Sequence, residues 1–217
     1  FYIKAQKKGI KPIVGCEFYV APSSRKEKKS SEAGPAFHLI LLAMDRTGYQ
    51  NLLKLSSIAQ LEGFYYKPRI DKEVLAEHNE GLLALSACLH GEVPWLISHD
   101  RFDEARTRAR EMVDMFGDRY YFELQENNIP EQKIVNDGLL QLSSELGVKV
   151  LATNDCHYLN KEEAHAHEVL LCIQTGKTIA DPNHFRFASD DFYFKAPDEM
   201  RSLFSYCPEA ITNTVEV

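Results

Sequence analysis

Long hydrophobic runs and an excess of positive charge are both missing from this sequence. The longest apolar stretches, such as residues 39–44, are far shorter than the roughly 18 residues of a membrane-spanning helix, so we expect no membrane partner. The 25 basic residues are outnumbered by 32 acidic ones, which gives a net charge of −7. A strongly basic, free-standing nucleic-acid-binding protein is therefore excluded, and any contact with DNA must be local or contributed by another part of the protein.

Paired cysteines and an initiator methionine are also missing. The five cysteines are widely spaced and form no C-x-x-C pair, and no secretory signal precedes them, so we expect a reducing, cytoplasmic location. The chain opens on Phe1 with the last turns of a helix that ends at Gly9, and residues 208–217 begin a helical pattern without an end signal. We expect an internal segment of a longer protein.

Strand-like and helix-like stretches alternate along the chain. Short β-branched or apolar runs predict strands, and apolar residues at helical spacing predict helices. The strand predictions are residues 11–20, 37–43, 81–87, 119–125 and 149–153, and the helix predictions are residues 47–61, 102–116 and 131–146. This alternation predicts an α/β fold with a parallel sheet, and the number of units favours closure into a barrel.

Residues 21–36 interrupt this alternation. They are polar and aperiodic and offer nothing to bury, so they predict a solvated loop or the tip of a hairpin. Four basic side chains in this stretch could contact phosphate, although the composition favours a solvated loop: Arg25, Lys26, Lys28 and Lys29.

Side chains that bind metals fall at or near the ends of the predicted strands. In α/β proteins the chemistry sits at the carboxyl ends of the strands. Glu17 closes the apolar part of its strand, whereas His38 lies at the start of one. The full set is Glu17, His38, Cys88, Asp155 and His157. Asp155 and His157 are two residues apart, so in extended chain they project to the same side and suit chelation of one metal or bridging of two.

Each of these residues also has an ordinary structural explanation. Asp155 has the place of a helix N-cap, Cys88 that of a small buried hydrophobe, and His38 that of a hydrogen-bonded core histidine. Because a mixed nitrogen, oxygen and sulfur set recurs at the strand ends of one sheet, the pattern favours a site for a borderline divalent ion.

Several long motifs resemble one family, the bacterial replicative (C-family) DNA polymerase III alpha subunits, within their amino-terminal PHP (polymerase and histidinol phosphatase) domain. The motifs cover nearly the whole chain: residues 9–17 (GIKPIVGCE), 54–57 (KLSS), 62–71 (EGFYYKPRID), 153–158 (TNDCHY), 167–177 (HEVLLCIQTGK) and 192–200 (FYFKAPDEM, with Asp198 where the family has Glu).

The resemblance implies a distorted seven-stranded β/α barrel, here truncated at its amino terminus, with a metal cluster at one mouth. Carried over position by position, it assigns Glu17, His38, Cys88, Asp155 and His157 as metal ligands, with Asp155 and His157 also catalytic. Four upstream ligands of the family have no counterpart in this chain. His90 is a neighbouring option for the role of Cys88, and His165 and His167 are expected to pack or cap.

The resemblance also implies a function and its partners. Residues 1–175 would form the PHP domain and residues 176–217 a connection toward the polymerase palm and thumb. The domain would bind Zn, Mn or Mg ions and act either as a 3'-5' proofreading exonuclease or as a structural brace, while the Mg of the palm lies outside this chain. Partners would be primer-template DNA, the rest of the alpha subunit, and the sliding clamp, proofreading subunit and clamp loader. The alternative is a stand-alone PHP phosphoesterase acting on a small phosphate ester.

Overall fold

The computed structural model describes residues 1–28 and 35–217 and has an α/β fold. Its strands form one sheet in the order β3-β1-β2-β4-β5-β6. The strands are β1 Gly15–Val20, β2 Phe37–Ala43, β3 Arg69–Ile70, β4 Leu82–Leu85, β5 Tyr120–Gln125 and β6 Lys149–Thr153. The helices are α1 Tyr2–Lys7, α2 Arg46–Leu61, α3 Lys72–Glu77, α4 Glu92–Ser98, α5 Phe102–Phe116, α6 Pro130–Leu146, α7 Ala164–Thr175, α8 Pro197–Leu203 and α9 Pro208–Thr212. The predicted α/β class is confirmed.

The strands do not all run in the same direction. The pairs β1–β3, β4–β5 and β5–β6 are parallel, as predicted, whereas β2 is antiparallel to both β1 and β4. A parallel neighbour needs a crossover connection, usually a helix, and the described part of the link between β1 and β2 contains none. The start of β2 therefore lies at the same edge as the carboxyl ends of β1, β4, β5 and β6. We call this edge the carboxyl edge.

The main hydrophobic core lies between one face of the sheet and the helices. Alternate strand residues such as Phe18, Leu41 and Phe122 point into it and meet buried helix residues such as Leu55 of α2 and Leu139 of α6. The opposite face carries a smaller cluster, formed by Leu83, Leu85, Tyr121 and Leu151. Both faces of β4 and β5 are thus buried, as expected for central strands.

The solvated loop predicted for residues 21–36 is wrong for Arg25. Its side chain is only 8% exposed and forms ion pairs with Glu62, Asp71 and Glu73. Its backbone N–H also donates to Asp71 Oδ2 at 2.8 Å. Composition could not reveal this, because the three carboxylates come from distant parts of the chain. Lys29 lies outside the described residues.

The last residues of the chain pack against the sheet. Phe204, Cys207 and Ala210 join the main core, and Asn213 Nδ2 donates to the carbonyl of Val150 on β6 at 2.7 Å. Within the described ranges, no helix is both long and apolar enough to cross a membrane.

Candidate metal centre

The carboxyl edge brings four of the polar side chains into contact. Glu17 lies inside β1, not at its end as predicted, because the strand runs on to Val20. Its Oε1 is 3.3 Å from Nδ1 of His38, the second residue of β2. Cys88 Sγ lies 3.5 Å from the same nitrogen and 3.8 Å from Nδ1 of His90. The possible ligand atoms of His38, Cys88 and His90 all lie within 4.8 Å of one another.

A tight loop after β4 places Cys88 and His90 at this edge. The N–H of His38 donates to the carbonyl of His90 at 2.9 Å, and the N–H of Gly91 donates to that of Cys88 at 2.8 Å. A Cβ atom on Gly91 would lie 1.9 Å from Ser86 O, so only glycine fits there. Ala87 adopts φ = 62°, a strained conformation for a residue with a side chain. These backbone contacts therefore determine where the loop places Cys88 and His90.

Asp155 and His157 form a second pair, on the loop after β6. His157 Nε2 lies 3.6 Å from Asp155 Oδ1. The loop is anchored by the fully buried Asn127, whose Nδ2 donates to the carbonyl of Asn154 at 2.9 Å, and by a 2.8 Å hydrogen bond from the N–H of His157 to the carbonyl of Phe192. In residues 1–28 and 35–217, no hydrogen bond or ion pair joins this pair directly to Glu17, His38 or Cys88.

Burial controls the protonation of the first cluster. It raises the pKa of the Cys88 thiol to about 12 and lowers the pKa of His38 to about 4. It also raises the pKa of Glu17, and the negative charge of Asp155 adds to that shift, which shows that the two groups of residues share one electrostatic environment. At neutral pH His38 is a neutral imidazole that can bind a metal, whereas Cys88 must first lose its proton.

A buried carboxylate lies close enough to the candidate site to raise the pKa of Cys88. Glu123 of β5 is 7% exposed, and its charge is one of the smaller causes of that shift. Its Oε1 accepts hydrogen bonds from Thr153 Oγ1 and from Gln125 Nε2, the latter at 3.1 Å. Its Oε2 is buried and has no hydrogen-bond partner among the residues that the structure describes. Burial raises the pKa of Glu123.

Comparison with known proteins identifies the family. The family model for the PHP domain matches residues 1–127, more than half of the chain. The chain belongs to the PHP domain family. The matched part of this PHP domain includes Glu17, His38 and Cys88, whereas Asp155 and His157 lie beyond it.

The relatives agree with the resemblance expected from the motifs, which is confirmed. The PHP domain chain is 50% identical over its full length to DNA polymerase III subunit alpha of Thermus aquaticus. It is 47% identical to the subunit of the same name from Borreliella burgdorferi and 40% identical to that from Helicobacter pylori, again over the full length. The chain spans only 18 or 19% of the length of these relatives.

The side chains of this PHP domain fit a divalent metal ion. When a thiolate and an imidazole bind one tetrahedral Zn²⁺, their ligand atoms are about 3.6 Å apart, and an imidazole nitrogen and a carboxylate oxygen are about 3.4 Å apart. The observed separations are 3.5 and 3.8 Å for the sulfur–nitrogen pairs and 3.3 Å for the nitrogen–oxygen pair. The orphaned oxygen of Glu123 also fits a site that holds a cation or its bound water.

The sequence patterns did not indicate Glu123, and they indicated His90 only as an alternative to Cys88. Glu123 interrupts an apolar strand run, Tyr-Tyr-Phe-Glu-Leu, and that interruption is the signal that could have found it. His90 was considered only as a substitute for Cys88, yet both lie beside His38. His165 Nδ1 lies 3.4 Å from Glu168 Oε2, and the ring of His167 lies 5.5 Å from that of His157.

Proposed function

We propose that this PHP domain is part of the alpha subunit of a bacterial replicative DNA polymerase III and binds divalent metal ions at its carboxyl edge. The observation that carries the proposal is the 40 to 50% identity to such subunits along the full chain. Nucleotide incorporation by the whole protein would use Mg²⁺ held by palm carboxylates outside this chain. The same identity favours this function over a stand-alone phosphoesterase for small phosphate esters.

The proposed metal ligands are Glu17, His38, Cys88, Asp155 and His157. His38 contacts both Glu17 and Cys88, which supports one cluster of ligands at this edge. The negative charge of Asp155 raises the pKa of Glu17, which supports placing Asp155 near that cluster. Zn²⁺ and Mn²⁺ suit this mixed set better than Mg²⁺, which prefers oxygen ligands. When bound, such an ion activates water and offsets the charge of a phosphodiester.

Asp155 and His157 are the proposed catalytic residues. The His157 side chain is 38% exposed, so it can reach a substrate phosphate, and its Nε2 lies 3.6 Å from Asp155 Oδ1. Their reaction would be 3'-5' excision of a DNA end, in which both side chains would hold the metal ion that activates water. If the metals serve structure alone, the domain is instead a brace for the polymerase.

The remaining parts of the proposal concern architecture and partners. The arrangement of core helices on one face of the six-stranded sheet supports the distorted seven-stranded barrel that the family resemblance implies. The proposed partners are primer-template DNA, the other domains of the subunit and the replisome subunits named above, in the cytoplasm.

The decisive experiment compares Asp155→Asn with wild type in the full-length protein. We expect metal affinity to fall at least about tenfold, because the substitution removes a charge that offsets the metal's while nearly preserving shape. Excision of a mismatched 3' end should fall with it, and incorporation on a matched primer should continue. Asp198→Asn, at a side chain that is 97% exposed, is the matched control and should change nothing.

Three results would count against parts of this proposal. Unchanged metal affinity in Asp155→Asn would remove Asp155 from the ligand set. If the variant loses metal but its excision activity is unchanged, the domain serves only as a structural brace for the polymerase. A wild-type protein that incorporates no nucleotides on a primed template would contradict the polymerase assignment.

A further inference from the structure

A turn beside the metal centre displays aromatic rings to solvent. This exposed aromatic turn comprises residues 63–67, in which Tyr66 is 82% exposed and Phe64 is more than half exposed. The turn closes through a 3.0 Å hydrogen bond from the N–H of Tyr65 to the carbonyl of Lys67. Two aromatic side chains of one short turn are therefore available to a binding partner.

The turn is held in one conformation. Arg69 is buried, its Nε donates to the carbonyl of Gly63 at 3.0 Å, and its guanidinium lies 5.1 Å from the centre of the Tyr65 ring. Tyr66 adopts φ = 59°, a left-handed conformation that costs free energy in a residue with a side chain. The surrounding structure therefore maintains the display of the Tyr66 ring, and strain of this kind is typical of functional positions.

Two lysines flank the turn. Lys28 Nζ donates to the carbonyls of Phe64 at 2.6 Å and Glu62 at 2.8 Å, and Lys67 Nζ lies 5.6 Å from the centre of the Tyr19 ring. Neither lysine has an ion-pair partner within the described part of the chain. The nearby Arg25, by contrast, forms ion pairs with three carboxylates. Lys28 and Lys67 are thus the cations of this region whose ammonium groups remain available to a phosphate.

The turn adjoins the candidate metal ligands. The ring of Tyr19 meets the ring of His38 edge to face, with 4.9 Å between their centres, and Lys67 lies over the same tyrosine. A continuous path therefore leads from the exposed ring of Tyr66 through Lys67 and Tyr19 to His38.

We propose that the exposed aromatic turn, with Tyr19, Lys28 and Lys67, binds a single-stranded DNA end and directs it to the metal centre. Unpaired bases stack on Phe64 and Tyr66, and the two lysines contact the backbone phosphates. Aromatic platforms combined with positive charge bind single strands in this way, since every base has a face that can stack. The claim that the DNA end is directed to the metal centre rests on the phosphodiester function proposed above. The claim that the turn binds single-stranded DNA does not.

Photocrosslinking of the full-length protein tests this binding surface. The probe is a single-stranded oligodeoxynucleotide with 5-iododeoxyuridine at its 3' terminus, and a chelator removes metals so that no excision is needed. We expect adducts on peptides that contain Tyr19 or Tyr66. Tyr66→Asn retains a residue that tolerates positive φ but removes the ring, so the crosslinking yield should fall at least about fivefold, the low end for loss of one stacked base.

Three further variants sharpen the test. Tyr66→Trp should keep the yield because it keeps a stacking ring, and Tyr49→Ala, at a partly exposed tyrosine on α2, should leave the yield unchanged. Lys67→Gln should reduce the dependence of crosslinking on salt by about 0.7 in logarithmic slope, the value for one phosphate contact on a single strand.

The proposal is overturned if adducts form only outside these peptides, or if Tyr66→Asn crosslinks as well as wild type. Protection of Lys28 and Lys67 from acetylation by another replication protein, but not by the oligonucleotide, would assign the turn to a protein partner and also overturn it. Because the probe is bound without metal, failure here is independent of the Asp155→Asn result.

Discussion

Burial shifts the pKa values of two neighbouring candidate ligands in opposite directions. Cys88 has a pKa raised to about 12 and His38 a pKa lowered to about 4, because burial disfavours the charged form of each group. Between these two values both side chains are neutral, which limits the cost of keeping them close together without a metal. Within this range the charge of Cys88 would change only if a metal ion replaced the thiol proton.

Metal affinity should therefore depend on pH through Cys88. The thiol is protonated in the metal-free protein and ionised in the metal-bound protein, so each binding event releases one proton, and raising the pH favours binding. Between about pH 7.5 and 9, where ordinary histidines are already neutral, the affinity of the full-length protein for Zn²⁺ should rise about tenfold per pH unit.

Competition titrations with a chelator measure this dependence. In Cys88→Ala the slope should decrease by about one proton per metal, because the alanine has no proton to release. A wild-type affinity that does not change over the same pH range would show that Cys88 binds no metal.

Arg25 is a polar residue away from the metal centre at which truncation should strongly reduce stability. Arg25→Ala would leave Asp71, which is 2% exposed, without its ionic partner, and breaking such a buried pair costs about 3–5 kcal/mol. Hydrogen exchange in the full-length protein should show faster exchange near residues 21–28 and in α3. Arg201→Ala, which breaks an exposed pair with Asp198, should cost less than about 1 kcal/mol. Equal effects of the two substitutions would contradict this account.

At the scale of elements, long and regular patterns were predicted well and short ones were not. Strands β2 and β6 and helix α5 have the bounds that their patterns predicted. Strand β3 has two residues and helix α3 has six, which is less than two helical turns, so neither can show a period. The prediction of a parallel sheet was only partly confirmed, because β2 is antiparallel to its neighbours. The relative direction of two strands depends on which strands become neighbours, and local sequence does not encode that pairing.

The candidate site shows the same division between local and distant information. The residues at strand ends could be found because chemistry gathers at the carboxyl edge, and the reversed direction of β2 explains why His38 lies at the start of its strand. The contacts of Cys88 with both His38 and His90 depend on a loop conformation that sequence spacing does not show. The metal-binding role of these side chains stays a prediction.

The position of the loop after β6 should depend strongly on the buried amide of Asn127. Asn127 Nδ2 donates to the carbonyls of both Asn154 and Asp191 at 2.9 Å. Asn127→Ala leaves both carbonyls without this donor, so we expect Asp155 and His157 to lose their positions. Metal affinity in the full-length protein should fall about 10- to 100-fold, as it does when partners that orient ligands are removed.

Asn183→Ala, at an exposed asparagine, is the matched control and should leave metal affinity unchanged. Hydrogen exchange of residues 154–157 gives a second measurement and should increase only in Asn127→Ala. Unaltered exchange and affinity in that variant would show that the loop is held by other contacts.

At the scale of the whole molecule, the chain combines a negative net charge with an exposed aromatic turn flanked by Lys28 and Lys67. The net charge of −7 opposes general binding to DNA, so any recognition of DNA by this domain must be local. The segment 176–217, predicted as a connection to the palm, contributes Phe204 and Ala210 to the main core. The boundary at residue 175 stays a prediction.

The central claim is that divalent metal is bound at the carboxyl edge by side chains from several strands and loops, with Cys88 among them. X-ray absorption spectroscopy of the Zn²⁺-loaded, full-length protein tests it most directly, because sulfur and nitrogen or oxygen neighbours differ in distance. We predict one sulfur at about 2.3 Å from the zinc, which disappears in Cys88→Ser, with nitrogen or oxygen neighbours at about 2.0–2.2 Å in both proteins. A wild-type protein that retains no zinc, or whose zinc has no sulfur neighbour, would contradict the account.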